Sequence, residues 1–104
     1  MFARVGHRIV PVLVPKVSRF EAAGDYVKAH VDGEELMLHV SLEELERRLD
    51  ARRFLRVHRS HIVNLDRVLR MEDSDDRRLD VFLQDGSRVT ASRAGSSRLR
   101  DLIR

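Results

Sequence analysis

Cysteine and tryptophan are both absent from this 104-residue chain. The lack of cysteine excludes a disulfide framework, a thiolate nucleophile and a cysteine-ligated zinc site. Aromatic side chains are limited to four Phe and one Tyr, which argues against a single-strand nucleic-acid binder, because such proteins stack bases on aromatic rings. The longest apolar run, Ile9–Val14, contains Pro11 and is too short to span a bilayer. The first eight residues also lack the apolar core of a signal peptide. We therefore expect a cytoplasmic protein, with no membrane contact from this chain.

Charge is unevenly divided along the chain. The total of 20 Lys+Arg and 17 Asp+Glu gives a net charge of +3. Residues 1–52 carry 8 basic and 9 acidic side chains, whereas residues 53–104 carry 12 and 8, and all 12 of those basic residues are Arg. The planar guanidinium can grip a phosphate or a guanine edge at two points. A charged, soluble surface would explain the same composition, since clustering marks a nucleic-acid face better than total charge does.

The length indicates one domain. We expect residues 1–8 to be a linker or the start of the expressed segment, and residues 9–104 to form the domain. Short apolar or alternating segments separated by turn signals predict a mainly β structure. The predicted strands are Ile9–Val14, Val17–Ala22, Tyr26–Val31, Glu34–Val40, Arg53–His58, Arg67–Glu72, Arg78–Leu83 and Arg88–Ser92, with a turn or short helical loop at Arg59–Leu65.

A single helix is predicted within this β pattern. Ser41 and Glu44 have capping-box spacing, and leucines at 42, 45 and 49 share one face. We therefore expect one short amphipathic helix near residues 42–49, with an acidic outer face that points away from any nucleic acid. The segment Ala94–Ser97 is interpreted as a break. The fold class is thus mainly β, with elongated antiparallel sheets and one short helix.

The stretch Phe54–Leu65 alternates core-forming and polar side chains. Its apolar residues can anchor the segment in a core, while its Arg, His, Ser and Asn side chains keep their hydrogen-bonding ends free. A rigid row of donors at a surface is suited to contact with a polyanion.

Five blocks, in order and at matching spacing, resemble the LytTR family of DNA-binding domains. They are Phe20-Glu21-Ala22, Gly24-Asp25-Tyr26-Val27, Ser41–Glu46, Phe54–Asn64, and Asp85-Gly86 followed by Ser92-Arg93. The resemblance implies an elongated β fold whose loops and turns enter successive major grooves of duplex DNA. It implies base contacts from Arg59, after the signature His, and from Arg93, near the end of the last strand. A third base contact falls at Asp25 or Tyr26, in the loop before the Tyr-Val strand.

Other polar residues are expected to contact the DNA backbone or to have structural roles, because phosphate contacts position a domain without choosing the sequence. They are Lys28, Arg56, His58, Ser60 and His61. The resemblance further implies the output domain of a bacterial two-component response regulator, without enzymatic activity or a cofactor. We expect a transcription regulator that binds direct repeats in promoters as a homodimer on the DNA, with a receiver domain upstream.

Some of these residues also fit other kinds of site. His58 and His61 could ligate a metal together with His30 or His39, but Arg59 between them would repel a cation. Ser60 beside two His residues could be a nucleophile, but no Gly-rich elbow or oxyanion loop accompanies it. Asp73–Asp76 resembles a calcium loop by composition only. The alternative function is a β-rich module for protein interaction or for non-specific nucleic-acid binding.

Overall fold

Ten strands and two α-helices, with short 3₁₀-helices at Val14–Lys16 and Leu65–Arg67, form the protein in the computed structural model, which describes residues 1–103. The strands are β1 Phe2–Val5, β2 Arg8–Pro11, β3 Val17–Ala23, β4 Tyr26–Val31, β5 Glu34–Leu38, β6 Phe54–His58, β7 His61–Asn64, β8 Val68–Asp73, β9 Leu79–Leu83 and β10 Arg88–Thr90; the helices are α1 Leu42–Arg48 and α2 Arg93–Leu102. A seven-stranded sheet has the order β2-β1-β5-β4-β3-β7-β6, and a three-stranded sheet the order β10-β9-β8. Neighbouring strands are antiparallel. The predicted mainly β fold class is confirmed.

Strand β1 shows that residues 1–8 are not a linker. Phe2–Val5 pairs with β2, and Ala3 is buried in the core. The two-residue turn between these strands has Gly6 at φ +60, which matches the Gly-first hairpin turn whose twist suits antiparallel strands. Pro11 lies in β2, an edge strand of the sheet, as its missing backbone donor predicts.

The hairpins from β3 to β5 agree closely with the sequence. Strand β4 has the predicted bounds, and β3 and β5 differ from them by one and two residues at their ends. Asp32 and Gly33 both have positive φ, of 49 and 80, which is the type I′ turn that an Asp-Gly pair favours. Gly24 at φ +63 opens the two-residue turn between β3 and β4.

The expected turn or helical loop at residues 59–65 contains a strand instead. Strand β7 pairs with β3 on one side and β6 on the other, after a turn of only two residues. Ile62 and Val63 are both buried. Two consecutive apolar residues reflect a strand that is covered on both faces, which does not show the alternation used to recognise strands.

Helix α1 forms close to the predicted position. The Ser41 hydroxyl accepts a hydrogen bond from the Glu44 N–H (3.1 Å), so half of the capping box is present. The Glu44 carboxylate instead pairs with Arg48 (3.1 Å), one turn along the helix. Leu42 and Leu45 are buried beneath the helix.

Helix α2 contradicts the expectation of a single helix and of a break at Ala94–Ser97. Ser92 caps it by accepting the Gly95 N–H (3.0 Å). Ser96 is fully buried and accepts a hydrogen bond from the Leu79 N–H (2.9 Å). The small residues permit close packing of the helix on the sheet, so in this context they are interface residues rather than helix breakers.

Two hydrophobic cores lie on opposite faces of the seven-stranded sheet. Ile62 belongs to the first core, with α1, and its neighbour Val63 to the second, beneath the three-stranded sheet and α2. Consecutive strand residues point to opposite faces. Strands β6 and β7 therefore pack against a core on each face, and these contacts restrict the position of the turn between them.

Candidate nucleic-acid interface

Two turns meet at one end of the seven-stranded sheet. The first joins β3 to β4 and contains Gly24 and Asp25; the second joins β6 to β7 and contains Arg59 and Ser60. The Ala22 N–H donates to the Ser60 carbonyl (2.9 Å). The structure thus brings Asp25 and Tyr26, the residues predicted for the first loop, close to Arg59.

Side chains within β6 fix the shape of the β6–β7 turn. Arg56 donates from Nη2 to the Arg59 carbonyl (2.6 Å), and the Ser60 N–H donates to His58 Nδ1 (3.1 Å). Arg59 is exposed at the apex. Within residues 1–103 its own side chain forms no ion pair or hydrogen bond, so a free guanidinium is presented on a constrained backbone.

Arg56, predicted to contact the DNA backbone, is already engaged. Its guanidinium lies 3.2 Å from the Glu43 carboxylate and 3.5 Å from that of Glu46, and its side chain is only 18% exposed. Hydrogen bonds from its own backbone N–H and from Arg56 hold the pKa of Glu43 below its usual value. Two acidic side chains of α1 therefore border the candidate site, contrary to the expectation that this acidic face points away from it.

Arg59 lines two adjoining concave surfaces. One, of about 350 Å³, also contains Asp25 and Tyr26. The other, of about 240 Å³, also contains Ser92 and Arg98. The β3–β4 turn, the β6–β7 turn and the beginning of α2 therefore form one continuous surface around this side chain.

The remaining predicted backbone contacts are half-buried in the strands. Lys28 Nζ lies 3.3 Å from the Glu35 carboxylate. The His58 and His61 rings have centroids 5.7 Å apart. Burial, with the nearby Arg19 charge, lowers the pKa of His61, which makes this imidazole a poor phosphate ligand at neutral pH.

Tyr26 and Arg93 complete the predicted set. The exposed Tyr26 ring packs edge-on against His39, with centroids 4.4 Å apart. Arg93 was expected near the end of the last strand. Strand β10 ends at Thr90, and Arg93 is the first residue of α2. Its Nε donates to Asp76 Oδ2 (3.1 Å) and its Nη2 to Asp76 Oδ1. That hydrogen-bonded pair lowers the pKa of Asp76.

The sequence interpretation missed Arg98, which lines the surface beside Arg59, and Asp76, which holds Arg93. The Arg-rich composition of residues 93–100 was the available signal for Arg98. Within residues 1–103 no group of three or more His, Cys, Asp or Glu side chains could hold a metal ion. None of the described helices is long and apolar enough to cross a membrane.

Sequence comparison relates this chain to known proteins. A family description, "LytTr DNA-binding domain", matches residues 7–104. The CO-responsive transcriptional regulator RcoM of Rhodospirillum rubrum is 40% identical over 84 residues, covering 80% of this chain and 36% of that protein. The heme-containing CO-sensing transcriptional regulator RcoM 2 of Paraburkholderia xenovorans is 31% identical over 98 residues, covering 92% of this chain and 36% of that protein. The chain thus spans about a third of the length of these curated relatives.

A solved structure shares the whole architecture. The LytTr DNA-binding domain from Bacillus cereus superposes with a TM-score of 0.91 at 25% sequence identity, and the match covers 99% of this chain and 94% of that one. The pairing of a seven-stranded with a three-stranded sheet is therefore an architecture that a DNA-binding domain uses.

Proposed function

Since this chain belongs to the LytTr DNA-binding domain family, we propose that it contacts DNA bases through Arg59, Arg93 and the Asp25–Tyr26 loop. The chain is a DNA-binding effector domain, and we propose that it is sequence-specific and belongs to a transcription regulator.

The Arg59 guanidinium, which is unpaired within residues 1–103 and sits on a constrained turn, is the observation that supports this proposal. Two hydrogen bonds that involve the Arg56 and His58 side chains fix the turn, and a backbone hydrogen bond from the Ala22 N–H to the Ser60 carbonyl joins it to β3. An arginine held in this way loses little freedom on binding, and its fork matches the O6 and N7 acceptors of guanine in the major groove. Asp25 and Tyr26 lie in the same concavity, where Tyr26 can contact a base edge and Asp25 can accept from a cytosine amine.

The backbone contacts are proposed to divide into two groups. Arg56, His58 and Ser60 act mainly by shaping the turn, because the Arg56 guanidinium, His58 Nδ1 and the Ser60 backbone already form hydrogen bonds in it. Lys28 and His61 are half-buried on the sheet and reach phosphates only at the margin. Arg98 is exposed beside Arg59, and we add it to the proposed phosphate contacts.

The molecule is 43 Å along its longest axis, which exceeds the roughly 34 Å helical repeat of duplex DNA. We propose that contacts made along this axis reach successive major grooves on one DNA face.

Two copies are proposed to lie side by side on direct repeats in promoters, as a homodimer on the DNA. The DNA-binding unit is proposed to be residues 9–104 together with β1, in a cytoplasmic regulator with a receiver or another sensing domain upstream.

The test compares Arg59→Ala and Arg93→Ala with the wild type by fluorescence anisotropy. The probes are the duplex that the wild type selects from a random library and a scrambled duplex. Each variant is expected to lose about 1–3 kcal/mol of discrimination between the two duplexes. Arg52→Ala is the matched control, since Arg52 is 91% exposed and precedes β6 at the end remote from the Arg59 turn. Unchanged preference in both variants would show that these residues are not the base contacts.

A further inference from the structure

A separate concave surface, of about 610 Å³, lies between α2 and the turn that joins β8 to β9. It is lined by Asp76, Arg77, Arg93, Ser97 and Arg100. Arg93, Ser97 and Arg100 are spaced by four and three residues, so they lie along one face of α2. Three guanidinium groups and one carboxylate thus converge on a concavity that is open to solvent.

The backbone of the turn that carries Asp76 has an unusual conformation. Asp76 and Arg77 both have φ of 61, a region in which Asp is tolerated and a long side chain such as Arg is uncommon. Helix α2 stabilises the turn at two points: Arg93 binds the Asp76 carboxylate, and Arg100 Nη1 donates to the Arg77 carbonyl (2.8 Å). The strained turn is therefore arranged so that the carboxylate faces Arg93.

The Arg93–Asp76 pair uses the hydrogen-bonding edge that DNA would need. Nε and Nη2 of Arg93 both donate to the two oxygens of one carboxylate. The same fork of donors would bind guanine O6 and N7, or two phosphate oxygens. While Asp76 occupies this edge, Arg93 cannot present it to a nucleic acid. Arg59, by contrast, has no such partner within residues 1–103, so the two arginines proposed as base contacts differ in the protein without DNA.

We propose that Asp76 competes with DNA for Arg93, so that Arg93 contacts the duplex only after exchanging this carboxylate for a DNA acceptor. This inference rests on the proposed role of Arg93 in base contact. The competition lowers the affinity for the correct site below the affinity that an Arg93 without a carboxylate partner would give. Arg93 is engaged only where a well-placed DNA acceptor replaces the carboxylate. Asp76 is then a specificity-determining residue that need not touch DNA itself.

The test uses Asp76→Asn, with Asp75→Asn as the matched control. Asn is tolerated at positive φ, so the first variant keeps the turn and removes the negative charge that faces Arg93. Asp75 is exposed in the same turn, and no ion pair of its side chain is found within residues 1–103. Its substitution removes the same charge without freeing Arg93. Fluorescence anisotropy on the selected duplex is the measurement, with urea unfolding to confirm that each variant is folded.

Asp76→Asn is expected to tighten binding roughly twofold to fivefold relative to Asp75→Asn, the size expected when an exposed ion pair is removed. In an Arg93→Gln background the difference between the two Asn variants should disappear. Equal affinities of the two Asn variants, with Arg93→Gln still weakening the wild type, would overturn the competition and leave the proposed function standing. Wild-type preference in Arg93→Gln would instead overturn the role of Arg93 itself, and the competition with it.

Discussion

Gly95 in α2 lies directly against the backbone of Val57 in β6. A methyl group at Gly95 would stand 2.8 Å from Val57 Cα and would overlap its carbonyl oxygen. The same carbonyl accepts a hydrogen bond from the Ser92 N–H (2.9 Å). The beginning of α2, with Arg93, is thereby fixed to the strand that leads into the Arg59 turn.

Gly95→Ala is predicted to destabilise the domain by about 1–3 kcal/mol, the usual cost of overpacking a core. The obstacle is backbone rather than a flexible side chain, so the helix must move away from β6. Urea unfolding monitored by circular dichroism measures the change. Ser97→Ala, at an exposed site in the same helix, should stay within about 0.5 kcal/mol of the wild type. Equal stability of Gly95→Ala and the wild type would show that α2 is not seated on Val57.

Asn64 connects the end of β7 to the beginning of β3. Its buried side-chain amide donates to the carbonyls of Pro15 (3.2 Å) and Val17 (2.8 Å), and its oxygen accepts the Asp66 N–H (3.0 Å). Asn64→Ala leaves these groups unpaired, and a loss of about 3 kcal/mol is predicted, since each unsatisfied buried group costs about 1–3 kcal/mol.

The comparison for Asn64 is Gln84→Ala, which removes an exposed amide and should change stability by less than about 0.5 kcal/mol. Chemical denaturation with the slope held constant gives both values. Similar stabilities for the two alanine variants would mean that the Asn64 hydrogen bonds contribute little to folding.

His61 gives the stability of the domain a pH dependence. Burial and the Arg19 charge lower its pKa in the folded state, whereas an unfolded His titrates near pH 6.5. As the pH falls below about 6.5 the unfolded chain takes up a proton that the folded protein resists. The free energy of unfolding should therefore decrease from pH 7 downward, until the pH reaches the folded-state pKa.

Urea unfolding at several pH values tests this expectation. His61→Gln should flatten the dependence in this window, whereas His7→Gln, in the exposed β1–β2 turn, should leave it as in the wild type. An identical pH profile for His61→Gln and the wild type would contradict the assignment.

Arg98→Ala is predicted to weaken binding to the selected and the scrambled duplex by the same factor. A phosphate contact carries no sequence information, and its loss should reduce the slope of log affinity against log salt by about one. Titrations at several salt concentrations measure both effects, with Arg52→Ala as the comparison. A change in sequence preference without a change in salt slope would make Arg98 a base contact instead.

Sequence reasoning located the parts of the fold that local signals determine. The Asp32-Gly33 turn requires two positive φ values, and Ser41 caps the helix that follows it. These signals operate within a few residues, so the sequence carries them directly.

Features that depend on tertiary packing were not predictable in the same way. Strand β7 did not show alternation because both of its faces are covered. Gly95 and Ser96 are residue types typical of a helix break, but here they lie within α2. Their small size permits its contact with β6 and β9. The ion pair between Arg93 and Asp76 joins residues 17 positions apart. It depends on a turn whose conformation the local sequence did not predict.

The measurement that tests the central claim most directly is selection by the wild-type protein from a random duplex DNA library, at near-physiological salt, with sequencing of the bound pool. An enriched motif is predicted, present as direct repeats about one helical turn apart, roughly 10 base pairs. Binding without enrichment would contradict base contact by Arg59 and Arg93 and would indicate a non-specific basic module. No binding to any duplex would contradict the account as a whole.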